Sequence, residues 1–75
     1  QLDLRWVRVG GGSRLAGESI GSLGVRPSMG VTVVGVLGAE GFANAPGPEY
    51  TFQPGDMVAV AGERAQIDAF EAAAG

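Results

Sequence analysis

Cysteine, histidine and lysine are all absent from these 75 residues. Without cysteine there is no disulfide and no thiolate metal site, and cysteine usage says nothing about the redox compartment. Without histidine the commonest metal ligand and the commonest general base are both missing. The cations are five arginines, Arg5, Arg8, Arg14, Arg26 and Arg64, so lysine is not available as an alternative base. The serines have no histidine to activate them and no nucleophile elbow. Gly10-Gly11-Gly12-Ser13 lacks the following lysine and long helix of a phosphate loop. Glu40, Glu49 and Asp56 stand near turns, with no spacing that forces two carboxylates together. These absences argue against an enzyme.

Long apolar runs are also missing. No segment approaches the ~18–20 residues needed to span a bilayer, and the opening Gln1-Leu2-Asp3-Leu4-Arg5 has no basic region followed by an apolar core. A chain of this length makes one small domain that buries only about 60–65% of the surface its unfolded form exposes. With neither disulfide nor metal to staple it, oligomerisation is the remaining device, so a homodimer is expected on stability grounds. The chain opens without methionine and closes on Ala72-Ala73-Ala74-Gly75, and we read residues 1–75 as a single domain excised from a longer protein.

The net charge of −3 is unevenly placed: residues 1–37 sum to +2 and residues 38–75 to −5. An acidic chain without lysine carries no basic stripe for a duplex, so no DNA or RNA partner is expected. A single phosphate-bearing small ligand is compatible with an isolated arginine.

Punctuation by glycine and proline sets the coarse structure. Leu4 to Val9 reads as a first strand ending at the triple glycine. Ser19 is placed to cap a one- to two-turn helix carrying Ile20 and Leu23, stopped by Gly24. Val31 to Leu37 is continuous and β-branched, which predicts a strand covered on both faces. Glu40-Gly41 predicts a tight turn before a short strand near Phe42. Ala45-Pro46-Gly47-Pro48 is a rigid connection, and Glu49 to Phe52 reads as a strand with Tyr50 and Phe52 on one face. Gln53-Pro54-Gly55-Asp56 has the proline and glycine of a type II turn, with Asp56 bonding local amides. Met57 to Ala61 is the last strand. Glu63 to Ala74 is the clearest helix, acidic toward its start, with Ile67, Phe70 and Ala74 on one face. Trp6 is expected to be a packing residue whose indole N–H finds a partner. The order predicts an α+β fold: a small sandwich of a mostly antiparallel sheet with one short N-terminal helix and one C-terminal helix, dimerising. One sheet face is covered by the C-terminal helix and the other by a partner chain or domain.

The segment Gly24-Val25-Arg26-Pro27-Ser28-Met29-Gly30 is the most informative. It sets the only arginine between Arg14 and Arg64 on a loop held by glycine and proline, immediately before an apolar strand. A fixed cation at the mouth of an apolar surface suits an anion or a nucleotide.

The order of elements, with Gly12-Ser13-Arg14-Leu15-Ala16-Gly17, Leu23-Gly24-Val25-Arg26, Gly30-Val31-Thr32-Val33-Val34, Pro46-Gly47-Pro48, the run from Gln53 to Gly62, and the closing Ile67 and Phe70, resembles the C-terminal domain of regulators of potassium conductance. This family is also called RCK-C or TrkA-C. Trp6-Val7 and the Pro-Gly-Pro-Glu segment are most similar to regulatory subunits of bacterial cation/proton antiporters. The resemblance implies a bacterial cytoplasmic regulatory domain, peripherally associated with a membrane cation transporter or antiporter subunit for potassium or another monovalent cation. It also implies binding of cyclic di-AMP between two subunits of a homodimer, where a two-fold symmetric ligand meets the same patch twice. By the same resemblance Arg26 contacts phosphate, Val25 and Ile20 form the apolar ledge for adenine, Val31 and Thr32 stand where some members reach the nucleotide with polar groups, and Pro46 or Pro48 closes over the base. Here Val31 offers nothing polar and Thr32 only a hydroxyl, so base recognition at those positions leans on backbone groups or is weaker. No metal and no catalytic residue is implied.

Each residue also has a plainer reading: Arg26 as a solvated surface cation, Ile20, Leu23 and Val25 as core or interface, the prolines as loop stiffeners. Two alternatives stand beside the nucleotide sensor. One is a purely structural dimerisation domain of a transporter regulator. The other is a calcium sensor using Glu18, Asp56 or Glu49.

Overall fold

The computed structural model describes residues 1–75. Its elements are β1 (Asp3–Arg8), α1 (Ile20–Leu23), α2 (Val25–Met29), β2 (Thr32–Gly38), β3 (Gly41–Asn44), β4 (Met57–Gly62) and α3 (Arg64–Ala74). The strands form one antiparallel sheet in the order β1-β4-β2-β3. The α+β class and the antiparallel sheet expected from the sequence are those of the molecule.

Alternation of side chains along paired strands sorts the sheet into two faces. Val7, Val58 and Val36 are in register across β1, β4 and β2 and are all buried. They meet Ile67, Phe70, Ala73 and Ala74 of α3, together with Leu15 and Phe52, in one core. An 11-residue helix is marginal alone in water, so its apolar stripe on the sheet is what holds α3. Arg5 adds a polar clamp, donating to Asp68 at 2.8 Å and to Glu71 at 2.9 Å. Tyr50, Phe52 and Phe70 extend the core as two edge-on ring contacts with centroids 5.9 and 6.3 Å apart.

The opposite face is open. Leu4, Trp6, Leu37 and Phe42 are all at least half exposed there, and the Phe42 ring lies over Gly35, where a Cβ would come within about 2.4 Å of it. Within the single chain β2 is covered on one face only, with Val34 and Leu37 exposed on the other, which is the face expected to meet a partner chain or domain. One expectation is corrected. Trp6 is half exposed on this face and its indole makes no hydrogen bond within the chain.

Three further corrections concern local structure. Arg26 is not on a loop: residues 25–29 form a helix, with Ser28 N–H donating to the Gly24 carbonyl at 2.7 Å. Pro27 is tolerated because it stands in the first turn, where its missing N–H would have no helical acceptor. Glu49 to Phe52 is not a strand but an irregular segment with one isolated bridge, Ser19 to Thr51; pairing is decided by a distant edge that aromatic alternation does not reveal. The acids expected at the start of α3 do not lie in its first turn: Glu63 is the N-cap residue, with no side-chain cap bond. The turn at residues 53–56 is as expected. Gly55 has φ of 89°, and Asp56 accepts the Gln53 N–H at 2.9 Å.

Candidate functional site

The site begins with a single residue. Gly24 is in the left-handed conformation, φ 62° and ψ 46°, and is at once the C-cap of α1 and the N-cap of α2. Only glycine adopts this routinely, and a Cβ there would sit about 2.8 Å from the Ser28 hydroxyl. At the other end of α1 the expected Ser19 cap is present as a full capping box. Ser19 Oγ accepts from the Ser22 N–H at 3.0 Å, and Ser22 Oγ accepts from the Ser19 N–H at 3.1 Å.

The proline segment is fastened to α1 through its backbone. The N–H groups of Ile20 and Gly21 donate to the carbonyls of Tyr50 and Pro48, at 2.9 and 2.8 Å. The chain enters this segment at Ala45, whose positive φ of 45° marks a sharp turn, with its N–H held by the Val34 carbonyl at 2.9 Å.

These constraints gather Ile20, Val25, Arg26, Val31, Thr32, Pro46 and Pro48 around one cleft of about 380 Å³. Two stretches of the chain contribute to it, residues 20–33 and the proline segment 46–48. Val25 and Val31 are fully buried in the core and offer a fixed apolar floor, while Ile20 is partly exposed against it. Arg26 is exposed and makes no ion pair or side-chain hydrogen bond. Of the five arginines, Arg5 and Arg64 by contrast are engaged with carboxylates. Thr32 is exposed at the start of β2, and both Pro46 and Pro48 line the wall.

Sequence reasoning missed Gly21, Gly24, Pro27 and Val33, which also line the cleft. Val33 has a legible signal, standing two residues from Val31 on an extended run. Gly21 has none, because its role is the close approach of Pro48. The backbone contributes as well. β2 pairs with β3 only from Gly35 onward, and the Val34 carbonyl is taken by Ala45, so Thr32 and Val33 present a strand edge without a β3 partner beside the cleft.

Glu18, Glu49 and Asp56 do not come together as a cation site. Glu18 accepts from Ser22 at 3.2 Å, Asp56 from Tyr50 at 2.7 Å, and no trio of acidic residues is placed to hold a metal ion.

Residues 4–75 match the model of the TrkA-C domain. The chain belongs to the TrkA-C domain family. No curated protein matches it. Among solved structures it is similar to the RCK_C domain dimer of S. agalactiae BusR in complex with c-di-AMP, at 26% identity over 92% of this chain and 91% of that one, with a TM-score of 0.84. The RCK C domain of the potassium transport protein KtrA, also in complex with c-di-AMP, shares the fold at 21% identity over 96% and 82% of the two chains, with a TM-score of 0.84.

BusR in complex with its busAB-promotor DNA matches at 26% identity and a TM-score of 0.85, over 93% of this chain but 34% of that one. This overturns the expectation of no DNA partner. Net charge sums over these 75 residues alone, whereas the match covers only 34% of the BusR chain in that DNA complex. The acidic balance of these residues therefore does not exclude a nucleic-acid partner. No helix of the molecule is long and apolar enough to cross a membrane.

Proposed function

We propose that this chain is a non-catalytic ligand-sensing regulatory domain that binds cyclic di-AMP across the two-fold axis of a homodimer. The observation that carries this reading is the convergence of an unengaged guanidinium, a buried apolar floor and a proline wall in one cleft. In this reading Arg26 grips a phosphate, for which its planar fork is suited. Ile20 and Val25 support adenine from below and Pro46 or Pro48 bounds it from the side. Val31, Thr32 and the free edge of β2 supply backbone groups and one hydroxyl.

The volume supports the symmetry. About 380 Å³ is at the small end of ligand pockets, which run roughly 300–1,000 Å³. It suits one nucleotide half, and two copies about an axis supply the two halves of a symmetric dinucleotide. The c-di-AMP complex of the BusR domain dimer supports the same choice of ligand.

The output follows from linkage: ligand at the axis favours whichever arrangement of two subunits binds it more tightly. We assign the recipient as a cytoplasmic face of a monovalent-cation transporter, by similarity to the potassium transport protein KtrA. The BusR–DNA complexes favour a second reading of the output alone, in which the same sensor reports to a DNA-binding part of its parent.

Calorimetric titration of the 75-residue chain with cyclic di-AMP, with AMP as control, tests the proposal. Saturable heat at one dinucleotide per two chains is expected. Absence of heat at high micromolar ligand overturns it.

A further inference from the structure

A second cleft lies between the β2–β3 hairpin and the segment from Tyr50 to Met57, and it plays no part in the reading above. At its base is Asp56, the one charged side chain in the buried core, 97% removed from solvent. Its Oδ2 is fully employed, accepting from the Tyr50 hydroxyl at 2.7 Å and from the Gln53 N–H at 2.9 Å. Its Oδ1 accepts no hydrogen bond from the chain but is not sealed off, since no fully buried side-chain oxygen lacks a partner, and Asp56 is in no ion pair. Buried charges are ordinarily paired with an opposite charge. Here both local partners are neutral.

The direction in which Oδ1 looks is set by a missing side chain. A Cβ at Gly38 would come 2.9 Å from Asp56 Oδ1 and 3.5 Å from the Tyr50 hydroxyl oxygen. Gly38 does not have a positive φ, so the backbone does not demand glycine, and glycine weakens a strand. What its lack of a side chain does is leave two acceptors facing open space. Tyr50 Oη keeps an acceptor lone pair after donating to Asp56. The cleft has about 920 Å³ and is also lined by Glu40, a second negative group, and by Leu37, Phe42 and Met57.

We propose that this cleft binds an organic cation, a guanidinium or ammonium group on an apolar stem, with Asp56 Oδ1 and Tyr50 Oη as its acceptors. A metal ion fits poorly, because no trio of carboxylates stands together and hard divalent ions take six or more oxygen ligands. A nitrogen cation needs fewer acceptors and directs its N–H groups at them, and its carbon stem can pass over the end of the β2–β3 hairpin, where the cleft is lined by Leu37 and Phe42. The same group is carried by a free small molecule and by an arginine side chain of a partner segment.

Amide-resolved NMR titration of the chain distinguishes these sources, using n-butylguanidinium and an acetylated, amidated Gly-Arg-Gly peptide as probes. Saturable shifts at Gly38, Glu40 and Asp56 are expected with at least one of them. Tighter binding of n-butylguanidinium assigns a free ligand, and peptide binding about tenfold tighter assigns a partner's basic segment. Asp56→Asn, which keeps the shape and the acceptor to Gln53, and Gly38→Ala, which fills the approach, each weaken binding at least about tenfold, whereas Arg26→Ala leaves it unchanged. No saturable shift with either probe, or equal shifts in a folded Asp56→Asn or Gly38→Ala chain, overturns the proposal. None of these outcomes depends on cyclic di-AMP.

Discussion

Gly21 and Pro48 are locked together: the Gly21 N–H donates to the Pro48 carbonyl at 2.8 Å, and a Cβ on residue 21 would lie 3.0 Å from both that oxygen and the proline Cβ. Glycine inside a helix ordinarily costs about 1 kcal/mol against alanine. Here alanine would gain that propensity and collide with a fixed carbonyl. We expect Gly21→Ala to lower the melting temperature despite its better helix propensity, and to weaken cyclic di-AMP binding by displacing the proline wall. Thermal unfolding and calorimetry on the same sample check both; a stabilised chain with unchanged affinity refutes the coupling.

Arg26 separates fold from function most cleanly. Its side chain has no partner to lose, so Arg26→Ala should change stability by less than about 0.5 kcal/mol, as surface substitutions do. A hydrogen bond to a charged group contributes roughly 1.5–3 kcal/mol, so affinity for cyclic di-AMP should fall between tenfold and a hundredfold. Arg26→Lys should recover only part, because ammonium cannot make the bidentate contact.

Phe52 stands between Tyr50 and Phe70 and is fully buried. Truncating a buried Phe to Ala costs about 3–5 kcal/mol, against a total on the order of 4–11 kcal/mol at usual per-residue stabilities. Phe52→Ala should therefore remove roughly a third or more of the stability, visible as a much lowered melting temperature.

Tyr50 is the only tyrosine, so its ionisation can be followed directly by ultraviolet absorbance. Burial, and then the hydrogen bond to Asp56 and that residue's negative charge, push its phenol up to about 12. A pKa raised by folding contributes stability that is fully present below the ordinary value of 10 and lost as pH rises through about 12. The wild-type chain should lose stability across that window, and Tyr50→Phe should lack this component. Asp56→Asn should lower the phenol pKa part of the way, leaving the share due to burial.

Much of this fold is legible residue by residue. Ile67, Phe70 and Ala74 mark the buried face of α3, Ser19 marks the start of α1, and Pro54-Gly55 marks its turn, because each signal is local. α2 is hidden because Gly24 and Pro27 are loop residues by propensity, yet one serves as a cap and the other sits where a helix needs no donor. The unpaired segment at 49–52 is hidden because pairing depends on what other parts of the chain do. The residues assigned to the ligand by family resemblance line one cleft, while Gly21 and the free edge of β2 emerge only from contacts between segments. The acidic balance misled about DNA, because net charge sums over the residues counted and a similar domain is part of BusR, which is solved in complex with promoter DNA.

Gly24 has a mechanical consequence. Since one residue closes α1 and opens α2, the chain between Ile20 and Arg26 has a single joint whose two torsions set the angle between them. A change of a few degrees there re-aims Val25 and the guanidinium together relative to Ile20. Side chains larger than hydrogen are kept off that joint by the Ser28 hydroxyl, so its stiffness and its freedom are both properties of one backbone unit.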